Sequence, residues 1–373
     1  MKLRKKLSSY FNPQNLKRIF YILIIGVLLF VIWYFFNLSQ SEKQVKNYAK
    51  NIYSSCLGNK DVAECYDDAF YSFNKKHVFS LTIKVLAALQ DIDKRALGCH
   101  QISHEIAEAE VAKDPVNWER VIKKIDFYAC NGGYLHGIFE GHALADPKFV
   151  INHNSVADLC SQFIKDQYQV NNCVHGMGHL MLVQYKGDLK SAVSECSKLS
   201  SGWRYHCYSG IFMENMVRGF LEDHGIAAPF PWTAQNALKL EQACNSFSGL
   251  PQRACWTMMS IIYVYLNYDN PQAVYNNCQK APAEDDAEDC YLYGVGEIEI
   301  VSNYDRQTFP SLCLLYKSES TLGKRCMLFA VNTLIYTSFK NISTVLNICS
   351  NVQDDAKKNC YRDLASALIE RVF

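Results

Sequence analysis

Residues 160–179 read CSQFIKDQYQVNNCVHGMGH, and two features of this stretch recur along the chain. The first is a pair of cysteines, Cys160 and Cys173, with twelve residues between them. The second is a pair of histidines, His175 and His179, four positions apart. Residues at this spacing lie on one face of an α-helix, so both imidazoles would project from the same side. The cysteine pair predicts the fold, and the histidine pair predicts a site on it.

The cysteine pairs repeat at a regular interval. Six pairs follow one another, with ten to twelve residues between their members: 160/173, 196/207, 244/255, 278/290, 313/326 and 349/360. The second members are 34, 48, 35, 36 and 34 residues apart, and the long interval holds an insertion around 221–232. A period near 35 is typical of a solenoid of helical hairpins. We therefore predict an all-α fold in which each disulfide joins the end of one helix to the start of the next.

The segments of one repeat fit this prediction. A short helix from Asn270 to Cys278 would be followed by a polar loop, 279–289, and then by a more apolar helix that opens at Cys290. Closing a loop of this length with a disulfide stabilises the folded state by roughly 3 kcal/mol. Cys56 and Cys65 form an earlier, shorter pair of the same kind.

Cys99 and Cys130 have no partner at the expected spacing. Either they bond to each other across adjacent helix starts, or one or both are free thiolates near the histidines and serve as metal ligands.

This organisation resembles the disulfide-braced Sel1/TPR-type α-solenoids, which include bacterial proteins with one bridge per helical hairpin. The resemblance covers about residues 50–373 and rests on the period and on the placement of the bridges. It implies an all-α solenoid, and it implies no activity, because function belongs to sites rather than to folds.

The N-terminal segment has the pattern of an uncleaved membrane anchor. Residues 1–18 are basic, no acidic residue precedes Glu42, and residues 19–36 carry no charge over eighteen positions. Such a segment is long enough for a transmembrane helix, and the positive-inside rule leaves the basic tail in the cytoplasm. No small-x-small cleavage site follows it, which favours a signal anchor over a removed signal peptide.

All 16 cysteines lie after this segment, as expected for a domain that faces an oxidising compartment. We predict a single-pass protein of the cytoplasmic membrane, with a linker at 37–50 and an extracytoplasmic repeat domain at 51–373. A net charge of +1 gives no reason to expect a nucleic-acid partner.

Six of the ten histidines lie in three cysteine-headed segments within residues 95–186. His100 and His104 repeat the four-residue spacing, as do His136 and Glu140. Equivalent helices of a solenoid stack side by side, roughly 9–10 Å apart. The three helices would therefore present these side chains to a common groove.

Neutral imidazoles and carboxylates in such a groove can bind a metal ion. The candidate metal ligands are His100, His104, His136, Glu140, His175 and His179. Glu140 and Glu105 are the candidates for a catalytic general base. The next helix offers only Glu214, and the helices after Cys255 and Cys326 carry no histidine, so we expect the later repeats to form a frame.

The histidine-bearing segments are unusually rich in glycine, which weakens helices. The glycines are Gly132, Gly133, Gly137, Gly141, Gly176 and Gly178. Glycine is accepted where another backbone or a ligand must come close. A tight helix crossing and a metal pocket would both explain them.

Histidine and carboxylate ligands suit divalent Zn, Cu, Fe or Ni, and the pattern does not choose among these metals. We predict a membrane-anchored extracytoplasmic metalloprotein that acts as a metal-dependent hydrolase or oxidoreductase. The alternative is a non-enzymatic solenoid that binds a protein, peptide or glycan in its groove, with a structural metal or none. A neutral cluster with a packing or proton-relay role, or one that senses pH, also fits the histidines.

Overall fold

The computed structural model describes residues 20, 24–26, 41–59, 62–90, 92–93, 99–122, 132–146, 148–163, 167–217, 233–267 and 270–301, and a few positions between 325 and 365. Every regular element within these ranges is a helix, which confirms the predicted all-α class. The helices are 41–56 (α1), Val62–Lys76 (α2), Phe79–Gln90 (α3), Cys99–Lys113 (α4), Glu119–Ile122 (α5), Gly133–Ala145 (α6), His153–Phe163 (α7), Gln167–Gln184 (α8), Leu189–Cys196 (α9), Ser201–Val217 (α10), Ala234–Asn245 (α11), Leu250–Leu266 (α12), Pro271–Cys278 (α13) and Glu284–Val301 (α14).

The short first helices of three repeats begin at polar capping residues. The Asp188 side chain accepts hydrogen bonds from the first-turn amides of α9, Thr233 does so for α11, and Asn270 does so for α13. Such a cap satisfies amides that have no partner within the helix, and it stabilises the helix by about 1 kcal/mol. α9 and α13 both end at the first cysteine of a pair, so cap and cysteine together set the length of these helices.

The longer second helices stack in chain order. α4 packs on α6, α6 on α8, α8 on α10, α10 on α12, and α12 on α14. Their contacts bury large side chains completely, among them Tyr134, Phe212, Trp256 and Tyr291. The described part of the chain is therefore a series of helical repeats in which each long helix contacts the next one.

The described disulfides follow the predicted pairing. They are Cys56–Cys65, Cys160–Cys173, Cys196–Cys207, Cys244–Cys255, Cys278–Cys290 and Cys349–Cys360. Cys326 is also disulfide-bonded. Cys313, Cys130 and the side chain of Cys99 lie outside what the structure describes, so the pairing of Cys313 with Cys326 and of Cys99 with Cys130 remains a prediction.

The predicted position of the second cysteine in its helix is wrong. Cys290 was expected to open a helix, but α14 begins at Glu284, so only 279–283 of the predicted loop is non-helical. The first turn of α14 carries Glu284, Asp285 and Asp286. Acidic side chains are favourable at the positive end of a helix dipole, which is why this polar stretch starts a helix rather than continuing a loop.

The predicted membrane anchor falls almost entirely outside the described residues. Of 19–36, only residues 20 and 24–26 are described, and they are helical. Among the residues that the structure describes, no helix has the length and apolar character needed to cross a membrane. Residues 41–50, within the predicted linker, belong to α1, where Ala49 is buried.

Candidate metal centre

The histidine-bearing helices cross one another in direct backbone contact. A Cβ atom added at Gly137 of α6 would lie 2.1 Å from the backbone oxygen of His104 in α4. One added at Gly210 of α10 would lie 2.0 Å from the backbone oxygen of His175 in α8. Only glycine fits at such distances. The predicted role of glycine in close helix approach is thus confirmed at Gly137, and Gly210 serves the same purpose one crossing later.

His136 lies over a glycine of the next helix. A Cβ atom at Gly176 would lie 2.4 Å from Cδ2 of the His136 imidazole, so the ring occupies the space that a side chain at position 176 would need. Gly176 therefore lets a ring from α6 reach the surface of α8, between the two histidines of that helix.

Four imidazoles from three helices form one cluster: His104, His136, His175 and His179. The ring centroids of His136 lie 5.1 Å from His104, 5.4 Å from His175 and 5.1 Å from His179. Those of His175 and His179 are 4.9 Å apart, and those of His104 and His179 are 6.5 Å apart. Two imidazoles bound to one tetrahedral metal have centroids roughly 5 Å apart. The structure thus brings together four of the predicted ligands at the spacing of metal-bound rings.

Two members of the imidazole cluster contact buried carboxylates through the same ring nitrogen. His104 Nδ1 lies 3.0 Å from Glu140 Oε2, and His179 Nδ1 lies 2.7 Å from Glu214 Oε2. Because an ionised carboxylate only accepts hydrogen bonds, each ring donates from Nδ1 and keeps its basic electron pair on Nε2. Metal-binding histidines are commonly oriented in this way. Glu140, predicted as a ligand and a base, has the position of an orienting partner.

His175 is held by a hydroxyl group instead of a carboxylate. Its Nδ1 lies 2.9 Å from Ser209 Oγ, and its Nε2 lies 3.3 Å from the Met213 sulfur. His175 and Met213 are both half-buried, whereas His136, His179 and Glu214 are buried. The His175 side of the cluster is therefore closer to solvent.

Burial controls the charge of His104. Desolvation lowers the pKa of His104 to about 4, and the negative charges of Glu214 and Glu105 oppose this only in part. The ring is therefore neutral near pH 7, which is the form that binds metals.

The remaining sequence candidates do not belong to the cluster. Glu105 is exposed on α4 and acts on His104 only through its charge. His142 stacks on Trp118, with ring centroids 4.5 Å apart, and serves packing. The side chain of His100 lies outside the described residues.

Sequence reasoning assigned α10 to the frame, and this was incomplete. Glu214, Ser209 and Met213 of this helix all contact the imidazole cluster. The repeat itself carried the signal, because Glu214 follows His179 by 35 residues and Glu140 follows His104 by 36.

The imidazole cluster is not arranged as a finished metal site. Within the described side chains, no three His, Cys, Asp or Glu residues converge on a point where they could hold a metal ion. Comparison of the chain with protein-family models, with curated proteins and with solved structures finds no match.

Proposed function

We propose that this protein binds a transition-metal ion through the imidazole cluster, in a repeat domain held outside the cytoplasmic membrane by its N-terminal segment. One observation carries the proposal. Two histidine–carboxylate pairs, His104–Glu140 and His179–Glu214, flank the ring of His136 at equal centroid distances of 5.1 Å.

The charges of the cluster support a bound cation. Glu140 and Glu214 are 3% and 4% exposed, so two carboxylates are removed from water. Burying charge is costly unless it is compensated. Hydrogen bonds from neutral imidazoles compensate it in part, and a divalent cation on the Nε2 side of the same rings would balance both negative charges.

Metal binding requires the rings to turn. The centroid separations already have the values that shared coordination needs, so rotation about the side-chain torsions can bring the Nε2 atoms to one point without moving the helices. His104, His136 and His179 would supply three ligands, and His175 is placed to supply a fourth.

A metal-dependent hydrolase or oxidoreductase is the second candidate function. It is favoured by the partial exposure of His104 and His175, since water or a substrate would approach the metal from that side. The burial of Glu140 argues against the predicted general base, because this carboxylate contacts His104 rather than solvent. We therefore rank metal binding first and catalysis second.

The test is the metal content of the full-length chain, exported to an oxidising compartment and purified in detergent without chelators or nickel resin. We expect about one transition-metal ion per chain in the wild type and a large loss in His179→Gln. His153→Gln is the matched control, since His153 also contacts a carboxylate through Nδ1, 2.8 Å from Glu195 Oε1, but lies outside the cluster. Trace metal that is equal in all three folded proteins would refute the proposal and leave a solenoid that binds a protein, peptide or glycan.

A further inference from the structure

We infer that the bound metal is copper(I), and that His175 and Met213 bind it at the solvent-near edge of the imidazole cluster. This inference rests on the proposed function, because it names the ion that the cluster would hold.

The first step is the tautomer of His175. The Ser209 hydroxyl donates its hydrogen to the backbone oxygen of His206, at 2.8 Å. Since that hydrogen is used, the oxygen accepts from Nδ1–H of His175, at 2.9 Å. A neutral imidazole carries only one N–H, so Nε2 of His175 has a basic electron pair.

The second step is what this nitrogen faces. Nε2 of His175 lies 3.3 Å from the Met213 sulfur. A thioether has no hydrogen to donate, so two electron-pair donors point at each other. A cation between them would bind both, whereas a protonated His175 is the competing explanation that the experiment must separate.

The third step is the distance. A metal that is about 2.0 Å from an imidazole nitrogen and about 2.3 Å from a sulfur holds these atoms 3.3 Å apart when the angle between them is about 100°. This angle is close to tetrahedral. The observed separation therefore suits two neighbouring ligands of one ion, with His136 and His179 next in reach.

The fourth step is the choice of ion. Thioether sulfur is a soft ligand that selects copper(I), while imidazole accepts copper in either state. None of the cysteines whose side chains the structure describes is a free thiol, so Met213 is the soft ligand adjacent to the described rings.

The experiment uses the full-length protein in detergent, kept anaerobic with ascorbate, and titrates copper(I) against a chromogenic copper(I) chelator. Zinc(II) binding is titrated in parallel. We expect Met213→Leu to weaken copper(I) binding by about tenfold or more and to leave zinc(II) binding unchanged. Met259→Leu is the control, because Met259 is buried in α12 and outside the cluster.

X-ray absorption of the copper-loaded wild type gives a second measurement that needs no variant. It should show a sulfur neighbour that Met213→Leu loses. No sulfur neighbour, or equal copper(I) affinity in Met213→Leu and wild type, would overturn this inference and favour protonated His175. A wild type that binds zinc(II) but not copper(I) overturns the inference alone. One that binds no metal overturns the proposed function as well.

Discussion

His179 Nδ1 and Glu214 Oε2 lie 2.7 Å apart, although the two residues are 35 positions apart in the chain. The separation equals one repeat, and His104 and Glu140 show the same relationship over 36 positions. Each carboxylate therefore orients an imidazole of the preceding repeat, so the stacking of repeats assembles the cluster.

Replacing Glu214 by glutamine should weaken metal binding by about 10- to 100-fold. The amide oxygen can still accept from His179 Nδ1, but the negative charge that favours a bound cation is lost. Competition titration with a metal chelator measures the change. Glu241→Gln is the control, because Glu241 is a buried carboxylate that contacts Tyr263 and Lys280, away from the cluster. Equal losses in both variants would contradict the role of Glu214.

Alanine at Gly210 should lower the free energy of unfolding by about 1–3 kcal/mol, because its Cβ would lie 2.0 Å from the His175 backbone oxygen. Gly202 lies in the same helix with nothing within 4 Å of an added Cβ. Alanine there should be neutral or stabilise by up to about 1 kcal/mol, through its helix propensity. Urea unfolding of both variants separates the two effects, and equal stabilities would show that α8 and α10 do not cross as described.

Removing the Cys160–Cys173 disulfide, with alanine at both positions, should lower the free energy of unfolding by about 3 kcal/mol. Metal affinity should fall as well, because Cys173 lies two residues before His175 in α8. The equivalent change at Cys244 and Cys255 should cost similar stability and leave metal affinity unchanged, since that bridge braces a repeat without cluster residues. Denaturant unfolding and metal titration of the two double variants test this contrast.

Acid should destabilise the fold through His206. Burial lowers the pKa of His206 from 6.5 to about 4. Between these values the unfolded chain binds a proton that the folded chain does not. The free energy of unfolding should therefore fall as pH decreases from about 6.5 towards 4, and it should be fully retained above 6.5.

Thermal unfolding of metal-free protein across this pH range measures the effect. His206→Gln should show a shallower decline than the wild type, with the remaining slope due in part to His104, whose pKa is also about 4. An identical decline in both proteins would mean that His206 is not buried in its neutral form.

The fold was predictable because its pattern is local. A cysteine pair such as Cys196 and Cys207 marks one helical hairpin wherever it occurs, and the period near 35 marks the stacking of hairpins. The start of α14 was not predictable in this way. An acidic stretch such as 284–286 suits a loop and a helix N-terminus equally well by polarity alone.

The sequence by itself determined the helical repeat, the disulfide pairing and the histidine spacing, because each depends on residues that are close in the chain. Only the tertiary structure decided that Glu214, Ser209 and Met213 belong to the cluster, and that His142 does not. These choices depend on how deeply two helices approach at a glycine, as at Gly210 against His175. That approach, and the ring orientations it permits, is a property of packing between repeats and not of any single segment.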